Sequence, residues 1–168
     1  MIKLTKDIEK IMIERFGEDS IIALATIEDG VPYVRSVNTF YDQGVFYVLT
    51  YGLSNKVKQI AKNPVVSIAG DWFSAHGKAV NLGFFGKEEN REIAEKMKDV
   101  FSKWIHNGHN NFEDVNTCIL KIELTDEFCF RREHDMILIF RKNNCGGMKN
   151  DFICCKRKTG KFYQTEIL

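Results

Sequence analysis

Three apolar runs stand almost end to end between residues 21 and 50. Ile21-Ile22-Ala23-Leu24-Ala25-Thr26-Ile27 leads through Glu28-Asp29-Gly30 into Val31 to Tyr41, and Asp42-Gln43-Gly44 leads into Val45 to Thr50. Each joint is too short for a parallel crossover, so the runs fold as an antiparallel meander. Gly30 supplies the positive φ that a tight hairpin turn requires. Short strands joined by tight turns leave raw edges in a flat sheet, and closure into a barrel removes them.

The remaining pattern places helices at the margins of this sheet. Thr5 to Phe16 reads as a helix with Ile8, Ile11, Met12 and Phe16 on one face. A short helix over 55–62 is stopped by Asn63-Pro64, and Val65 to Ala69 is the next strand. Lys78 to Phe84 is its partner, with Gly70 to Gly77 as the connection. Lys87 to Ile105 reads as one long amphipathic helix burying Ile93, Met97, Val100, Phe101 and Trp104. Cys118 to Phe130 alternates as a strand. Three β-like runs, Met136–Arg141, Asp151–Lys156 and Lys161–Ile167, form a C-terminal extension over 133–168. The expected class is mainly β with flanking α, in a single domain of 168 residues.

Composition narrows the partners. A net charge of +1 gives no broad attraction for nucleic acid or an anionic membrane, and no apolar stretch is long enough to span a bilayer. The N-terminus enters an amphipathic pattern without a secretory leader, and five cysteines is an odd number, so reduced thiols in the cytoplasm are expected. Cys145, Cys154 and Cys155 lack the paired spacing of a zinc or iron–sulfur site. His76, His106, His109 and His134 are scattered, and no Ser-His-Asp or Cys-His order stands out.

The segment from Thr50 to Pro64 carries the candidate chemistry. Ser54 stands at an N-cap position, so Asn55, Lys56 and Val57 bring first-turn N–H groups without helical partners. A lysine in a first turn opposes the helix dipole unless it meets an anion. Thr50 and Ser54 add hydroxyls, and Gly52 permits a close backbone approach. The set suits a phosphate monoester; an ordinary capped helix with a solvated lysine fits the same letters. Arg35, in the second strand with the parity of Tyr33 and Val37, either points outward or forks onto the anion that Lys56 meets.

The order of these pieces resembles the FMN-binding split barrel, the superfamily similar to pyridoxamine 5'-phosphate oxidase. Ala23-Leu24-Ala25-Thr26 before an acidic-Gly turn, Arg35-Ser36-Val37, Phe46-Tyr47-Val48-Leu49-Thr50, Ser54-Asn55-Lys56 with Gln59-Ile60, Asn63-Pro64-Val65-Val66 and Gly77-Lys78-Ala79 carry the likeness. The resemblance implies an antiparallel six-stranded split barrel, and a homodimer holding FMN between its subunits. Arg35 and Lys56 would bind the FMN phosphate with help from Ser54 or Asn55. Ser36 and Val37 would line the flavin largely through backbone, Leu49 and Thr50 would border its ring, and Trp72 would cover a flavin face or fill the interface. The implied activity is electron or hydride transfer between a reduced nicotinamide or other donor and a small organic acceptor. A non-catalytic FMN or haem binder, acting as sensor or stress-related protein, is the alternative. The Trp-Gln-Gly element and the later Arg-x-His segment of the oxidase itself have no clear counterpart in Glu127 to Met136, so the vitamin substrate is not expected.

Overall fold

The computed structural model describes the backbone of residues 6–70, 73–108, 110–132, 136–142, 150–158 and 161–166, and the side chains of 9–70, 73–108 and 110–125. The meander forms as the turns dictate. β1 (Ser20–Glu28) pairs antiparallel with β2 (Val31–Asp42), and β2 with β3 (Val45–Tyr51). Asp29 and Gly30 have φ of 52° and 78°, and Gln43 and Gly44 have 48° and 84°. Both two-residue turns thus carry positive φ throughout, the backbone twist that matches a right-handed strand pair.

Helix α1 (Lys6–Phe16) precedes the meander, and α2 (Asn55–Lys62) follows it. Next come β4 (Val65–Gly70), β5 (Phe73–Phe84), α3 (Arg91–Val100) and the long β6 (Thr117–Arg132). β4 pairs with β1 and β5, and β5 with β6. β6 returns to β3, from Thr117 opposite Tyr51 to Glu123 opposite Val45. That last pairing closes six antiparallel strands into a barrel. β7 (Met136–Lys142), β8 (Asn150–Lys158) and β9 (Lys161–Glu166) continue as a meander from the far half of β6, Glu127 to Arg132.

Alternation decides what fills the barrel. Ile22, Leu24, Val37, Tyr41, Phe46, Val48, Leu120 and Ile122 belong to one buried cluster inside it, joined by Met12 and Phe16 of α1 and Val57 and Ile60 of α2. A second cluster lies on the outer side of the wall, where α3 covers it: Phe40 and Ile119 from the strands meet Met97 and Phe101.

Two sequence expectations are corrected. β5 starts at Phe73, five positions before Lys78: Phe73, Ala75, Gly77 and Ala79 alternate inward, and after Phe73 the inward side chains are too small to read as a strand. A Cβ at Gly77 would lie 2.8 Å from Ile122 Cγ2 and 2.9 Å from the Glu123 carbonyl, so that glycine marks close strand approach beside a register shift. The long helix is shorter than its periodicity predicts. Glu88–Asn90 is a 3₁₀ turn, α3 stops at Val100, and Phe101 to Ile105 continue the apolar stripe as turns.

Candidate functional site

Helix α2 lies against β1 and β5, with Val57 and Ile60 directed into the core. Asn63 ends it: its N–H donates to the Gln59 carbonyl, and its side-chain oxygen accepts from the Val65 N–H at 3.1 Å. Ser54 occupies the N-cap but makes no side-chain cap bond. The Val57 and Lys58 N–H groups both donate to the Ser54 carbonyl at 3.1 Å. Val57 is therefore already satisfied, contrary to expectation, and Asn55 and Lys56 are left with the N–H groups that precede the helical ladder.

Lys56 reaches back over the strand end. Its ammonium donates to Thr50 Oγ1 at 3.1 Å and to Ser54 Oγ at 3.4 Å. Arg35 enters the same region from β2. Nη1 donates to the Leu24 carbonyl at 3.2 Å and to Thr26 Oγ1 at 2.6 Å, and Nη2 to Gln59 Oε1 at 3.1 Å. Burial pushes the Lys56 ammonium below the ordinary lysine range, and the charge of Arg35 adds to the effect. Burial lowers Arg35 likewise. The two cations thus share one neighbourhood, and every hydrogen-bond partner named for them is neutral. Among the described residues neither forms a salt bridge with a carboxylate.

That donor set fits a dianion. An ammonium has three donors and a guanidinium five. Two are engaged on Lys56 and three on Arg35, which leaves one and two N–H groups for an incoming oxygen anion.

The other expected residues divide. Thr50 and Ser54 are gathered around Lys56, and Asn55 is exposed at the start of α2. Val37 is buried inside the barrel below Arg35, and Ser36 is exposed on the outer face opposite Ala23. The Leu49 side chain packs into the cluster under α3, so it turns away from Thr50 and Lys56. Gly52 has a structural reason: its N–H donates to the Asn116 carbonyl at 2.6 Å, and a Cβ there would stand 2.9 Å from Cys118 Sγ. Trp72, His109, His134 and Cys145 lie outside the described residues, as do the side chains of Cys154 and Cys155. Among the described residues no group of three or more His, Cys, Asp or Glu is placed to hold a metal ion. Among them, too, no helix is long and apolar enough to cross a membrane.

Residues 9–127 match the family model described as pyridoxamine 5'-phosphate oxidase. The chain is a member of that family. Solved structures share the fold at low identity. An FMN-binding, pyridoxamine 5'-phosphate oxidase-related protein from Nostoc punctiforme is 14% identical, with 99% of this chain and 98% of that one covered at a TM-score of 0.56. A FAD-binding protein from Mesorhizobium loti is 17% identical, over 73% and 91%, at 0.56. A haem storage protein from Vibrio cholerae is 17% identical, over 76% and 94%, at 0.55. No curated protein matches the chain.

Within this family barrel, Thr26, Gln59 and Glu28 join the hydrogen-bond network around Arg35, and sequence reasoning left them without a role. The signal was present. Thr26 continues the inward parity of Ile22 and Leu24, and Gln59 sits beside Ile60 on the buried face of α2, so two polar side chains occupy core positions. Such groups are buried only where hydrogen bonds await them.

Proposed function

We propose that the chain binds FMN through its phosphate and works as an FMN-dependent oxidoreductase, passing electrons or hydride from a reduced nicotinamide or other donor to a small organic acceptor. The observation that carries this reading is that Arg35 and Lys56 stand within electrostatic reach of one another beside α2, each bonded only to neutral partners. Bound FMN would supply the redox chemistry. The chain's own part is to anchor the phosphate with Arg35, Lys56 and the hydroxyls of Thr50 and Ser54, and to control access. Membership of the family and the FMN-binding relative support the choice of cofactor.

A cytoplasmic homodimer belongs to the same proposal. It is supported by the outer face of β1, β2 and β4, where Ala23 and Ala25 lie between Ser36 and Val34 on one side and Ala69 and Ser67 on the other. Around them Ile21 is 65% exposed and Val34 67%. Small side chains at the centre of an apolar sheet face permit close approach of a second sheet. The haem storage relative favours one alternative, a non-catalytic haem or FMN binder.

The test begins with the spectrum of the purified protein. Flavin absorbance in the near-UV and blue supports the proposal, and a Soret band supports the alternative. Arg35→Ala should weaken FMN binding by ~1.5–3 kcal/mol, the range for hydrogen bonds to charged groups, and leave riboflavin affinity nearly unchanged. Equal losses for both ligands refute the phosphate clamp. Stopped-flow mixing with reduced nicotinamides separates catalyst from binder, and a flavin that never reduces at a useful rate removes the enzymatic reading.

A further inference from the structure

We propose that Gln59 sets the preference of the site for a phosphate monoester, by aiming Arg35 at the phosphate without cancelling its charge. The inference rests on the phosphate-binding role of Arg35 proposed above. Gln59 is 2% exposed and joins a continuous chain of side chains. Its Oε1 accepts from Thr26 Oγ1 at 2.5 Å and from Arg35 Nη2 at 3.1 Å. Its Nε2 donates to Glu28 Oε2 at 3.2 Å, and Glu28 Oε1 accepts from Lys62 at 2.7 Å.

The direction of every bond in this chain is forced. A guanidinium only donates and an ionised carboxylate only accepts. The amide must therefore turn its N–H toward Glu28 and its oxygen toward Arg35. Thr26 Oγ1 accepts from Arg35 at 2.6 Å, so its own hydrogen goes to Gln59. Lys62 and Gln59 hold the Glu28 carboxylate below its ordinary range, which keeps that end of the chain ionised. The result is a guanidinium fixed by the Leu24 carbonyl, a hydroxyl and an amide, all uncharged.

The chemistry of the link matters because a glutamate has nearly the same shape. A carboxylate at position 59 would sit against Arg35 and leave the pair of cations with a net charge near +1. The amide passes the fixing force of Glu28 inward and keeps its negative charge one residue away. Two uncompensated cations suit a monoester, which carries about −1.5 to −2 at neutral pH, better than a diester with a single charge or a ligand with none.

The decisive experiment moves the charge by one link and changes little else. Gln59→Glu with Glu28→Gln keeps the net charge and the bond chain: the amide at 28 donates to the carboxylate at 59, which still accepts from Thr26 and Arg35. FMN and riboflavin are titrated into this double variant and into the wild type by quenching of flavin fluorescence, and melting is followed in parallel. The double variant is expected to melt with the wild type and to bind riboflavin within twofold of it. Its FMN-to-riboflavin affinity ratio should fall at least tenfold, about 1.4 kcal/mol. A folded double variant with an unchanged ratio overturns the role of Gln59 while leaving the phosphate clamp in place. A wild type that binds FMN and riboflavin equally removes the clamp itself. If the double variant does not fold, Gln59→Met takes its place: it removes the acceptor and keeps both cations. A loss of FMN affinity of threefold or more, with riboflavin unaffected, supports the orienting role, and equal affinity for FMN overturns it.

Discussion

Replacing Lys56 with methionine separates what this residue costs from what it contributes. Its ammonium is half-buried, bonded to two hydroxyls and close to the Arg35 charge. Burial first, and Arg35 second, depress its folded-state pKa below the ordinary value of 10.5. The unfolded chain therefore binds this proton more tightly than the folded one. The penalty is fully present below the folded pKa and fades as pH rises toward 10.5, so stability gains with pH across that window. Methionine keeps the length of the stem and removes the charge. Lys56→Met should raise the melting temperature of the flavin-free protein at neutral pH and flatten its rise in alkaline solution.

Ligand binding should change in the opposite sense. Two of the three ammonium donors are engaged by Thr50 and Ser54, so one charge-assisted bond to a phosphate oxygen is lost. At ~1.5–3 kcal/mol for such a bond, the FMN dissociation constant should rise roughly 10- to 150-fold. Calorimetric titration of FMN and riboflavin, with scanning calorimetry of the flavin-free protein, reads both effects in one pair of samples. A variant that is less stable without flavin and equally weakened toward both ligands would show Lys56 to be a packing residue, and the reasoning would fail.

FMN affinity should also rise between pH 5 and 7, because the second ionisation of a phosphate monoester falls near pH ~6. Riboflavin affinity over the same range should stay flat; parallel slopes for the two ligands would refute a dianion site. Val34→Glu places a carboxylate on the outer face of β2 opposite Ala25, and sedimentation should find a folded monomer with weakened flavin binding. Tyr41→Phe should cost about 1–3 kcal/mol in urea denaturation, since the hydroxyl donates to Glu9 at 2.7 Å and accepts from the Gly44 N–H at 2.8 Å in a buried site. Pyridoxamine 5'-phosphate should not be oxidised at a useful rate by flavin-loaded protein, and robust peroxide release with that substrate would overturn the expectation.

The barrel was legible where the backbone itself is written in the residues. Asp29-Gly30 and Gln43-Gly44 need positive φ, and they fix the first hairpins and hence the ring order. The α2 bounds followed from Ser54 and Asn63-Pro64 for the same local reason. Reading failed where small or amphipathic residues serve two structures equally well. Ala75 and Gly77 carry too little hydrophobic contrast to announce β5, although they fill its inward positions. The stripe that runs on to Ile105 stays apolar through turns that follow α3, because what packs against Phe40 and Ile119 is the spacing of side chains and not the helix. Leu49 shows the same limit: it closes an apolar run and the resemblance set it beside the flavin ring, and only the pairing with β6 decides which cluster receives it.

The candidate site was legible only in part: Lys56 stood out as a cation in a first turn and Arg35 by its strand parity, while Thr26 and Gln59 join them only in the structure, as further small violations. Lys56 stands at the end of α2 where the dipole disfavours a cation. Thr26 and Gln59 spend buried positions on polar atoms. Arg35 brings a guanidinium to the inward face of β2 beside Val37. Each feature alone has a bland explanation, since hydrogen bonds satisfy Thr26 and Gln59 and water reaches part of Lys56. Their meeting does not, because among the described residues the two neighbouring cations are bonded only to neutral groups and meet no carboxylate. A packed core with no ligand to bind would be more stable with one of those cations replaced by an apolar group of similar size. Local rules broken at one place without compensation among the described residues point to a partner that arrives from outside the fold. Two cations bonded only to neutral groups suit a compact dianion, which is the phosphate end of the cofactor proposed above.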